Sequence, residues 1–281
     1  IKIDFDKVIY ISDYKNIEEK VTRADTVLNV VLVPFHDRLI PMGVIMIVKN
    51  ITENEKLNNM RKEFVADVSH ELKTPLCSIK GYSETIMDRD LSKEEITKFA
   101  TVINAEANRM DRIVADLLQL SRFDYNKNVM NKTKFNLDDL AKQVVENMQY
   151  VALEKGHTLT CTVNMIPPAV YADKDSIQQV IINILSNSIK YTPNGGKIDV
   201  YIGAAGGKAY MKFVDNGIGI PEKDLKRIFE RFYRVDKARS RQMGGTGLGL
   251  SIVKEIVEAH EGTIDIKSEQ GVGTEVIVTI P

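Results

Sequence analysis

A histidine with two polar neighbours is the first candidate for chemistry in this sequence. It lies in the string FVADVSHELKTPL, residues 64–76, where Glu71 follows His70 directly and Thr74 follows one helical turn later. A neutral imidazole is a nucleophile at physiological pH, and an adjacent carboxylate can orient it and accept its proton. We therefore interpret His70 as a nucleophile, Glu71 as its base and Thr74 as a residue that positions a water. Pro75 should bend the helix just past the histidine. The alternative is a histidine that packs in a helix-bundle interface.

A polar stripe in the string QQVIINILSNSIKYTP, residues 178–193, is the second candidate. Asn183, Asn187 and Tyr191 follow one another at four-residue spacing. Lys190 lies three residues beyond Asn187, so a helix presents all four side chains along one stripe. Buried amides are costly unless a partner meets them, which favours an oxygen-rich ligand or a metal ion. The alternative is a pair of asparagines that cap a helix or bond within the core.

A strand that ends in a carboxylate and glycines is the third candidate. The strand AYMKFV runs directly into DNGIGIP, and together they cover residues 209–221. Gly217 and Gly219 allow positive φ and a close approach of the backbone to a ligand. Asp215 offers an acceptor for the amino group of an adenine. The same pattern is also typical of an ordinary turn.

The fourth candidate is a loop rich in arginine and glycine, FERFYRVDKARSRQMGGTGLGLS, residues 229–251. Its basic side chains and the glycine run after them are Arg231, Arg234, Lys237, Arg239, Arg241, Gly244, Gly245, Thr246, Gly247, Leu248 and Gly249. Glycine-rich backbone at a helix N-terminus, with guanidinium groups nearby, can hold a polyphosphate and close over it as a lid. The loop contains no GxxxxGK(S/T) motif and no strand precedes its glycines, which excludes a P-loop and a dinucleotide fingerprint. A solvated surface is the alternative for the basic run, above all for Arg239 and Arg241.

Two long amphipathic helices must position the histidine. Apolar residues recur every three, four or seven positions in two stretches, which is the period of a helix stripe. The first stripe comprises Leu57, Met60, Phe64, Val68, Leu72, Leu76, Ile79 and Ile86. The second comprises Phe99, Val102, Ile103, Met110, Ile113, Leu117, Leu120 and Phe123. An antiparallel hairpin of two helices buries little surface alone, so we expect its stripe to meet a second copy in a four-helix homodimeric bundle.

The segment before the hairpin is predicted to be β-rich. Residues 1–52 contain the strand-like runs KVIYI, TVLNVVLVPF and MGVIMIVKNI, separated by polar stretches, prolines and a glycine. Thr52, followed by Glu55 three residues later, predicts a capping box that opens the first helix. A domain boundary is therefore expected at Thr52.

The segment after the hairpin alternates helix and strand patterns. A polar linker near Tyr125 to Lys134 is the expected hinge between the two. The predicted helices lie at 137–155, 174–191 and 248–260, and the predicted strands at 158–163, 169–172, 196–203 and 208–215, with two closing strands. This alternation predicts a two-layer α/β sandwich over residues 133–281.

Bulk composition excludes several classes of function. The chain has 281 residues, 43% hydrophobic and 27% charged, with a net charge of −1, which indicates a globular protein of two or three domains. The charge gives no field for nucleic acid. Cys77 and Cys161 are far apart without zinc-ligand spacing, so neither a disulfide framework nor a zinc site is supported. No apolar run is long enough to cross a bilayer, so we expect a soluble chain that meets a membrane only through segments absent from it.

The four motifs, in this order, resemble the H, N, F and glycine boxes of the sensor histidine kinases of two-component systems. SHELKTP, residues 69–75, is similar to the H box, whose histidine accepts a phosphoryl group. In the N box, the residue matching Asn187 ligates magnesium, and those matching Lys190 and Tyr191 contact the nucleotide. In the loop, the residue matching Arg234 reaches the γ-phosphate. The resemblance covers about residues 60–281 and is to the membrane-anchored kinases of Gram-positive phosphate and cell-wall regulation.

This resemblance implies a site for ATP and magnesium in a domain of the Bergerat ATP-binding type. The expected catalytic residues are His70, Glu71 and Thr74, and the expected metal ligand is Asn187. The expected nucleotide contacts are Asn183, Asn187, Lys190, Tyr191, Asp215, Gly217, Gly219, Arg234, Gly245, Thr246, Gly247, Leu248 and Gly249.

The resemblance also implies a multidomain α+β protein. Its expected domains are a partial PAS-like sensor module at 1–52, a signalling helix with the dimerisation and phosphotransfer hairpin at 53–127, and a catalytic ATP-binding domain at 133–281. Such a protein phosphorylates His70 from ATP, passes the phosphoryl group to an aspartate in the receiver domain of a response regulator, and dephosphorylates that regulator. We expect the cytoplasmic portion of a membrane sensor. The alternatives are an ATPase of the same nucleotide fold, a nucleotide-sensing scaffold, and a protein whose net activity is that of a phosphatase.

Overall fold

The computed structural model describes most of the chain. The described residues are 16–37, 40–88, 90–124, 130–236 and 245–281. They belong to two compact units, Ile1–Glu71 and Leu72–Pro281. The predicted strand KVIYI, residues 7–11, lies outside the described residues. Within the described ranges, no helix carries an apolar stretch long and unbroken enough to span a bilayer.

A three-stranded antiparallel sheet precedes the first long helix. Its strands, in both chain order and sheet order, are β1 (Ile17–Arg23), β2 (Thr26–Asp37) and β3 (Ile40–Asn50). Val30 and Leu32 are buried on one face of β2, and Val44 of β3 packs against them. The β-rich character predicted for this segment is confirmed. β1 was not predicted, because the charged run in IEEKVTR lacks the apolar alternation of a half-buried strand.

The first hairpin helix, α1, spans Thr52–Asp88 and begins where the sequence predicts. The predicted capping box between Thr52 and Glu55, however, is wrong. Asn50 Oδ1 accepts hydrogen bonds from the Thr52 N–H at 3.0 Å and from the Thr52 hydroxyl at 2.6 Å. Glu55 Oε1 instead accepts from Lys20 Nζ at 2.6 Å. A lysine on β1 therefore competes successfully for the carboxylate that would otherwise bond back to the helix start.

The second hairpin helix, α2, spans Lys93–Asp124 and opens with a reciprocal capping box. The Ser92 N–H donates to Glu95 Oε2 at 2.9 Å, and the Glu95 N–H donates to Ser92 Oγ at 3.3 Å. The two predicted helices are thus confirmed. Part of the second stripe is covered within the same chain, because Leu120 is fully buried in the core of the α/β sandwich and Leu117 packs against that core. These two leucines are therefore not free to meet a second copy, as the sequence had predicted.

The rest of the chain forms the predicted two-layer α/β sandwich. Its elements are β4 (Lys132–Phe135), α3 (Leu137–Glu154), β5 (Thr158–Val163), β6 (Val170–Asp173), α4 (Lys174–Tyr191), β7 (Lys197–Ala205), β8 (Lys208–Asp215), α5 (Glu222–Leu225), α6 (Gly249–Ala259), β9 (Thr263–Glu269) and β10 (Gly273–Ile280). The main sheet has the order β5-β7-β8-β10-β9, in which β5 and β7 are parallel and the other neighbours are antiparallel.

One apolar core joins this sheet to its helices. Every second residue of β7 and β8 faces the helices, because successive side chains of a strand point to opposite faces. These residues are Ile198, Val200, Ile202, Ala209, Met211 and Phe213, all at most 1% exposed. The facing helices contribute Leu140, Val144, Ile177, Ile181, Ile184, Leu185, Ile252, Ile256 and other buried apolar residues to the same core. The helix that carries the predicted asparagines is therefore rigidly supported.

A short strand replaces the end of the predicted hinge. β4 pairs antiparallel with β6, with Lys132 opposite Asp173. One carboxylate oxygen of Asp173 caps α4 by accepting from the Ser176 N–H at 2.9 Å, and the other accepts from the Asn131 N–H at 2.9 Å. Burial opposes the ionised form, but these hydrogen bonds outweigh it and hold the pKa of Asp173 below its ordinary value. The chain that leaves the hairpin is thus fastened to the first turn of α4.

Candidate active site

The sandwich contains a cavity of about 600 Å³. Its wall includes α4, the end of β8 with the turn after it, and the glycine run before α6. The predicted site residues in that wall are Asn183, Asn187, Lys190, Tyr191, Asp215, Gly219, Arg234, Gly245, Thr246, Gly247 and Gly249. Three motifs that are distant in the sequence are therefore brought together around one space.

The two asparagines of α4 have different surroundings. Asn183 Oδ1 accepts from Gln179 Nε2 at 2.9 Å, and Asn183 Nδ2 donates to the Gly249 carbonyl at 3.3 Å. Asn183 therefore ties α4 to the start of α6. In the part of the chain that the structure describes, no protein group is hydrogen-bonded to the amide of Asn187, which lines the cavity. Its oxygen is available to a ligand.

Lys190 supplies a positive charge to the same wall. Burial, and after it the charges of Arg234 and Arg112, lower the pKa of Lys190 to about 8. Its ammonium also lies 5.1 Å from the centroid of the Tyr191 ring. Lys190, Arg234 and Arg112 thus bring several cations to one cavity wall, an arrangement that suits a polyanion.

Asp215, at the end of β8, also lines the cavity. Its Oδ2 accepts from the Ser188 hydroxyl at 2.8 Å, and its Oδ1 accepts from the Gly217 N–H at 3.0 Å. Burial raises the pKa of this carboxyl, while hydrogen bonds from Ser188, from Gly217 and from the backbone of Thr274 oppose the rise. The carboxylate is therefore fixed in orientation and keeps further lone pairs for a donor in the cavity. Ser188 was not among the predicted site residues.

At both glycine positions of the turn after β8, a side chain would clash with neighbouring protein atoms. A Cβ at Gly217 would lie 2.7 Å from Asp215 Oδ1 and 2.9 Å from the Tyr191 carbonyl oxygen. Gly219 has φ +65, and a Cβ there would lie 1.9 Å from the Glu269 carbonyl oxygen. Gly219 lines the cavity, whereas Gly217 supports it from behind by bonding Asp215. Gly219 therefore has the positive φ that the sequence predicts, Gly217 does not, and the predicted approach of this backbone to a ligand stays a prediction.

The glycine run before α6 is fastened to the segment that precedes the arginine-rich loop. The Phe232 N–H donates to the Gly247 carbonyl at 2.9 Å, and Arg234 Nη2 donates to the Thr246 carbonyl at 2.8 Å. Phe232 has φ 62 and Gly247 φ 77, and a Cβ at Gly247 would lie 2.9 Å from Phe232 Cα. Leu248 is fully buried, so its side chain lies in the core rather than in the cavity wall.

The arginines of the loop do not act as one group. Arg234 is buried and lines the cavity, while Arg231 pairs with Glu255 at 3.3 Å on α6. Arg231 therefore braces the loop against the helix. The remaining residues of the predicted basic and glycine run, Lys237, Arg239, Arg241 and Gly244, lie outside the described residues.

The predicted nucleophile lies on α1, away from these loops in the sequence. His70 is exposed, and Glu71 and Thr74 are partly buried on the same helix. The helix continues through Pro75, which is buried. Among the described residues, no group of three or more His, Cys, Asp or Glu side chains could hold a metal ion. The His70 side chain is thus accessible, and its role as a phosphoryl acceptor stays a prediction.

Among the charged residues of the cavity wall that sequence reasoning missed, three lie outside the four motifs. They are Arg112 and Asp116 on α2 and Lys155 just after α3. Asp116 Oδ2 accepts from the Thr246 hydroxyl at 2.8 Å, across 130 residues of sequence. Lys155 Nζ donates to the Ile189 carbonyl at 3.1 Å. No local motif marks them, because only the packing of α2 and α3 against α4 and α6 places them here.

Two family models match this chain. The model for "Histidine kinase-, DNA gyrase B-, and HSP90-like ATPase" matches residues 172–281, and the "His Kinase A (phospho-acceptor) domain" matches residues 60–126. The fold and the cavity thus define an ATPase domain of the histidine kinase, gyrase B and HSP90 type, joined in one chain to a phospho-acceptor hairpin.

Curated relatives narrow this class further. "Sensor histidine kinase WalK" of Bacillus subtilis is 39% identical over 244 residues, which cover 85% of this chain and 39% of that protein. "Sensor protein kinase WalK" of Staphylococcus aureus is 38% identical over 245 residues, covering 85% of this chain and 58% of that protein. The chain belongs to the sensor histidine kinase family, and it spans between about two fifths and three fifths of these relatives.

Solved structures agree with the fold. The histidine kinase ThkA, in complex with the response regulator protein TrrA, is 25% identical with a TM-score of 0.65, covering 99% of this chain and 81% of that one. Full-length ShkA, in complex with AMPPNP, is 27% identical with a TM-score of 0.59, covering 78% and 45%. The predicted combination of a β-rich module, a helical hairpin and an α/β ATP-binding domain is therefore confirmed.

Proposed function

We propose that this chain is the kinase portion of a sensor histidine kinase that phosphorylates its own His70 from ATP and passes the phosphoryl group to a response regulator. The observation that carries the proposal is the cavity itself. It gathers a fixed carboxylate, an available amide, buried cations and a glycine run from three distant segments. Such a set of groups suits one ligand with an amino-bearing base at one end and phosphates at the other.

The adenine lies at the Asp215 end in this proposal. Asp215 is oriented by Ser188 and Gly217, so its remaining lone pairs can accept the amino group of the base. Ile218 and Ile220 line the cavity beside Gly219 and supply apolar surface for the ring.

The phosphates lie among Lys190, Arg234 and the glycine run. Burial and the neighbouring cations lower the pKa of Lys190, and bound phosphates would favour the charged form of this side chain. Arg234 is buried and its guanidinium is held by the Thr246 carbonyl, so it is oriented before the ligand arrives. Backbone N–H groups at the start of α6 add donors for phosphate oxygens.

Magnesium fits this site through Asn187. Mg²⁺ takes oxygen ligands and is commonly held by one or two protein groups together with substrate phosphates and waters. The amide oxygen of Asn187 lines the cavity without a bond to the described protein groups, which is what such a ligand requires. When bound, the ion would neutralise charge on the phosphates.

The transfer step follows from the chemistry of the histidine. A ring nitrogen of His70 forms a bond to the γ-phosphorus, the bond from that phosphorus to the β,γ-bridging oxygen breaks, and ADP leaves with the electron pair. Glu71 receives the imidazole proton. A receiver-domain aspartate then takes the phosphoryl group and His70 returns to its first state. Because the His70 side chain is exposed, both the γ-phosphate of ATP and the receiver-domain aspartate can reach it. We assign Thr74 to positioning the water that dephosphorylates the regulator.

The assembly is proposed on the same basis. The hairpin forms a four-helix homodimeric bundle with a second copy, and the partner is a response regulator receiver domain. The structural relative ThkA is seen with its response regulator protein TrrA, which supports this type of partner. We assign residues 1–52 to a PAS-like module, 53–127 to the signalling helix and hairpin, and 133–281 to the catalytic domain. The chain would be the cytoplasmic portion of a membrane-anchored sensor.

Labelling with γ-labelled ATP tests the assignment of the nucleophile. The chain is expected to retain a label that is labile in acid and stable in alkali. His70→Gln removes that label and leaves AMPPNP binding unchanged, because the cavity lacks His70. Lys80→Gln is the matched control, since Lys80 is exposed on the same helix and pairs only loosely with Glu84 at 3.6 Å. Retained label in the His70→Gln chain contradicts the assignment, and unlabelled chain that binds AMPPNP indicates a scaffold.

A further inference from the structure

The second hairpin helix packs against the nucleotide-binding domain at its C-terminal half. Ile113 and Leu120 of α2 are fully buried, and Leu120 belongs to the core of the sandwich. α2 and α6 are in direct contact there. α6 is the helix that the glycine run opens, so the apolar contact holds α2 beside the proposed phosphate site.

A carboxylate on α2 accepts a hydrogen bond from a threonine hydroxyl in that site. Asp116 lines the cavity, and its Oδ2 accepts from the Thr246 hydroxyl at 2.8 Å. The same hydroxyl accepts from the Leu248 N–H at 3.3 Å. A threonine hydroxyl has one hydrogen to donate, so while Asp116 holds it no phosphate oxygen can receive it. The glycine run is thus fixed to the hairpin at the residue where the proposed ligand needs it.

Charge makes this contact unfavourable for a polyphosphate. Burial raises the pKa of Asp116, while the Thr246 hydrogen bond and the charge of Arg112 oppose the rise. A carboxylate and a phosphate that share one partly desolvated space repel each other. Arg112 lies one turn before Asp116 and also lines the cavity, so it offsets this repulsion only in part.

We propose that Asp116 is a built-in competitor of the nucleotide, which must break the Asp116–Thr246 contact before its phosphates can settle on the glycine run. This inference rests on the proposed nucleotide site. Coupling between two equilibria is reciprocal, so nucleotide binding loosens α2 from the catalytic domain to the extent that α2 weakens nucleotide binding. ATP loading thereby helps to release the catalytic domain for its movement toward a histidine.

Calorimetric titration of the full chain with AMPPNP and magnesium tests this competition. Asp116→Ala is expected to tighten binding about tenfold, since a charge-assisted hydrogen bond and its repulsion of phosphate are both lost. Asp116→Asn keeps an acceptor for Thr246 without the charge, so its binding should lie between those of Asp116→Ala and the unaltered chain. Asp111→Asn is the matched control, because Asp111 is exposed on the same helix, makes the same charge change and does not line the cavity.

Hydrogen exchange gives the second reading. AMPPNP should speed amide exchange over residues 113–120 several-fold in the unaltered chain, and Asp116→Ala should show that faster exchange before any nucleotide is added. Equal or weaker AMPPNP binding in both Asp116 variants, or slower exchange on nucleotide addition, overturns the competition. If Asp116→Ala fails to fold, the AMPPNP affinity and the exchange rates of Asp116→Asn decide alone.

The same titrations separate this inference from the proposed function on which it rests. Absence of AMPPNP binding in every chain overturns the proposed function. Binding that is tighter only in the Asp116 variants supports the inference even without phosphotransfer.

Discussion

The α/β sandwich and the helical hairpin differ in how much of their apolar surface is buried within the chain. Ile181 and Leu185, on the core side of α4, are fully buried within the chain. Val65, Leu76 and Leu118, on the hairpin helices, remain 62%, 55% and 60% exposed. A monomeric protein seldom leaves large apolar side chains in such number along two helices. The sandwich therefore carries a complete core under its cavity, whereas the hairpin leaves large apolar side chains exposed, as the proposed homodimeric bundle requires.

The largest expected effect breaks the sandwich at its tightest point. Gly219→Ala places a Cβ 1.9 Å from the Glu269 carbonyl oxygen in a residue with φ +65, so two backbone segments must separate. We expect a loss of more than about 4 kcal/mol in the free energy of unfolding and loss of AMPPNP binding. Gly206→Ala is the control, because Gly206 has φ +58 but open space around it, and should cost only about 1 kcal/mol. Urea denaturation checks both, and equal costs contradict the steric explanation.

A pair of truncations compares the two regions directly. Ile184→Ala, at 1% exposure, should lower the stability of the sandwich by about 3 kcal/mol because it opens a cavity. Leu118→Ala should change that stability by less than about 0.5 kcal/mol and weaken dimerisation about tenfold. Amide exchange on β8 measures the first effect, and analytical ultracentrifugation measures the second. Leu118→Ala with unaltered dimerisation removes this face of α2 from the bundle interface.

Proton uptake by Lys190 on nucleotide binding tests whether the phosphates lie beside this side chain. The pKa of Lys190 is about 8 in the unliganded cavity, and bound phosphates raise it, so binding takes up a proton near and above that pH. AMPPNP affinity should therefore fall as pH rises from 7 to 9, by up to about tenfold per pH unit above 8. Lys190→Gln should bind more weakly with a flatter pH profile. Calorimetry in buffers of different ionisation enthalpy measures the proton uptake, and an unchanged profile in Lys190→Gln assigns it to another group.

The smallest expected effect concerns the hairpin turn. Ser92→Ala removes the serine half of the capping box at the start of α2 and should cost about 1 kcal/mol of helix stability, because the Glu95 N–H loses its acceptor and the Glu95 carboxylate loses the Ser92 hydroxyl. Thr101→Ala is the control, since the Thr101 hydroxyl bonds only the Thr97 carbonyl within the helix. Exchange of the amides in the first turn of α2 reports the difference, and equal rates in the two variants mean that packing rather than the cap holds this end.

Local patterns predicted the sandwich well. The helix over 174–191 was predicted with the bounds that α4 has, because its apolar period, its Asp173 cap and the Pro193 after it all act within a few residues. β8 and its glycine turn were predicted for the same reason. The position of Asp215 at the end of β8 was also predicted, since a carboxylate at a strand end followed by glycines is a local signal, whereas its contact with a nucleotide stays a prediction.

Contacts between residues that are distant in the sequence were not predicted. Glu55 was expected to cap α1, but Lys20 competes for it from another strand. β4 looked like linker because its lysines alternate with few apolar residues, and only pairing with β6 makes it a strand. Asp116 gave no signal at all, since its partner Thr246 is 130 residues away. The roles of the predicted site residues stay predictions until the experiments above are done.

The double attachment of Asp173 has a mechanical consequence. One carboxylate holds both the chain emerging from the hairpin, at Asn131, and the first turn of α4, at Ser176. Asn187 lies on that same helix, about three turns beyond Ser176 in the direction of its axis. A pull or twist delivered through residue 131 therefore acts on the rod that carries the proposed magnesium ligand, so strain from upstream can be transmitted to the catalytic end without any rearrangement of the sheet.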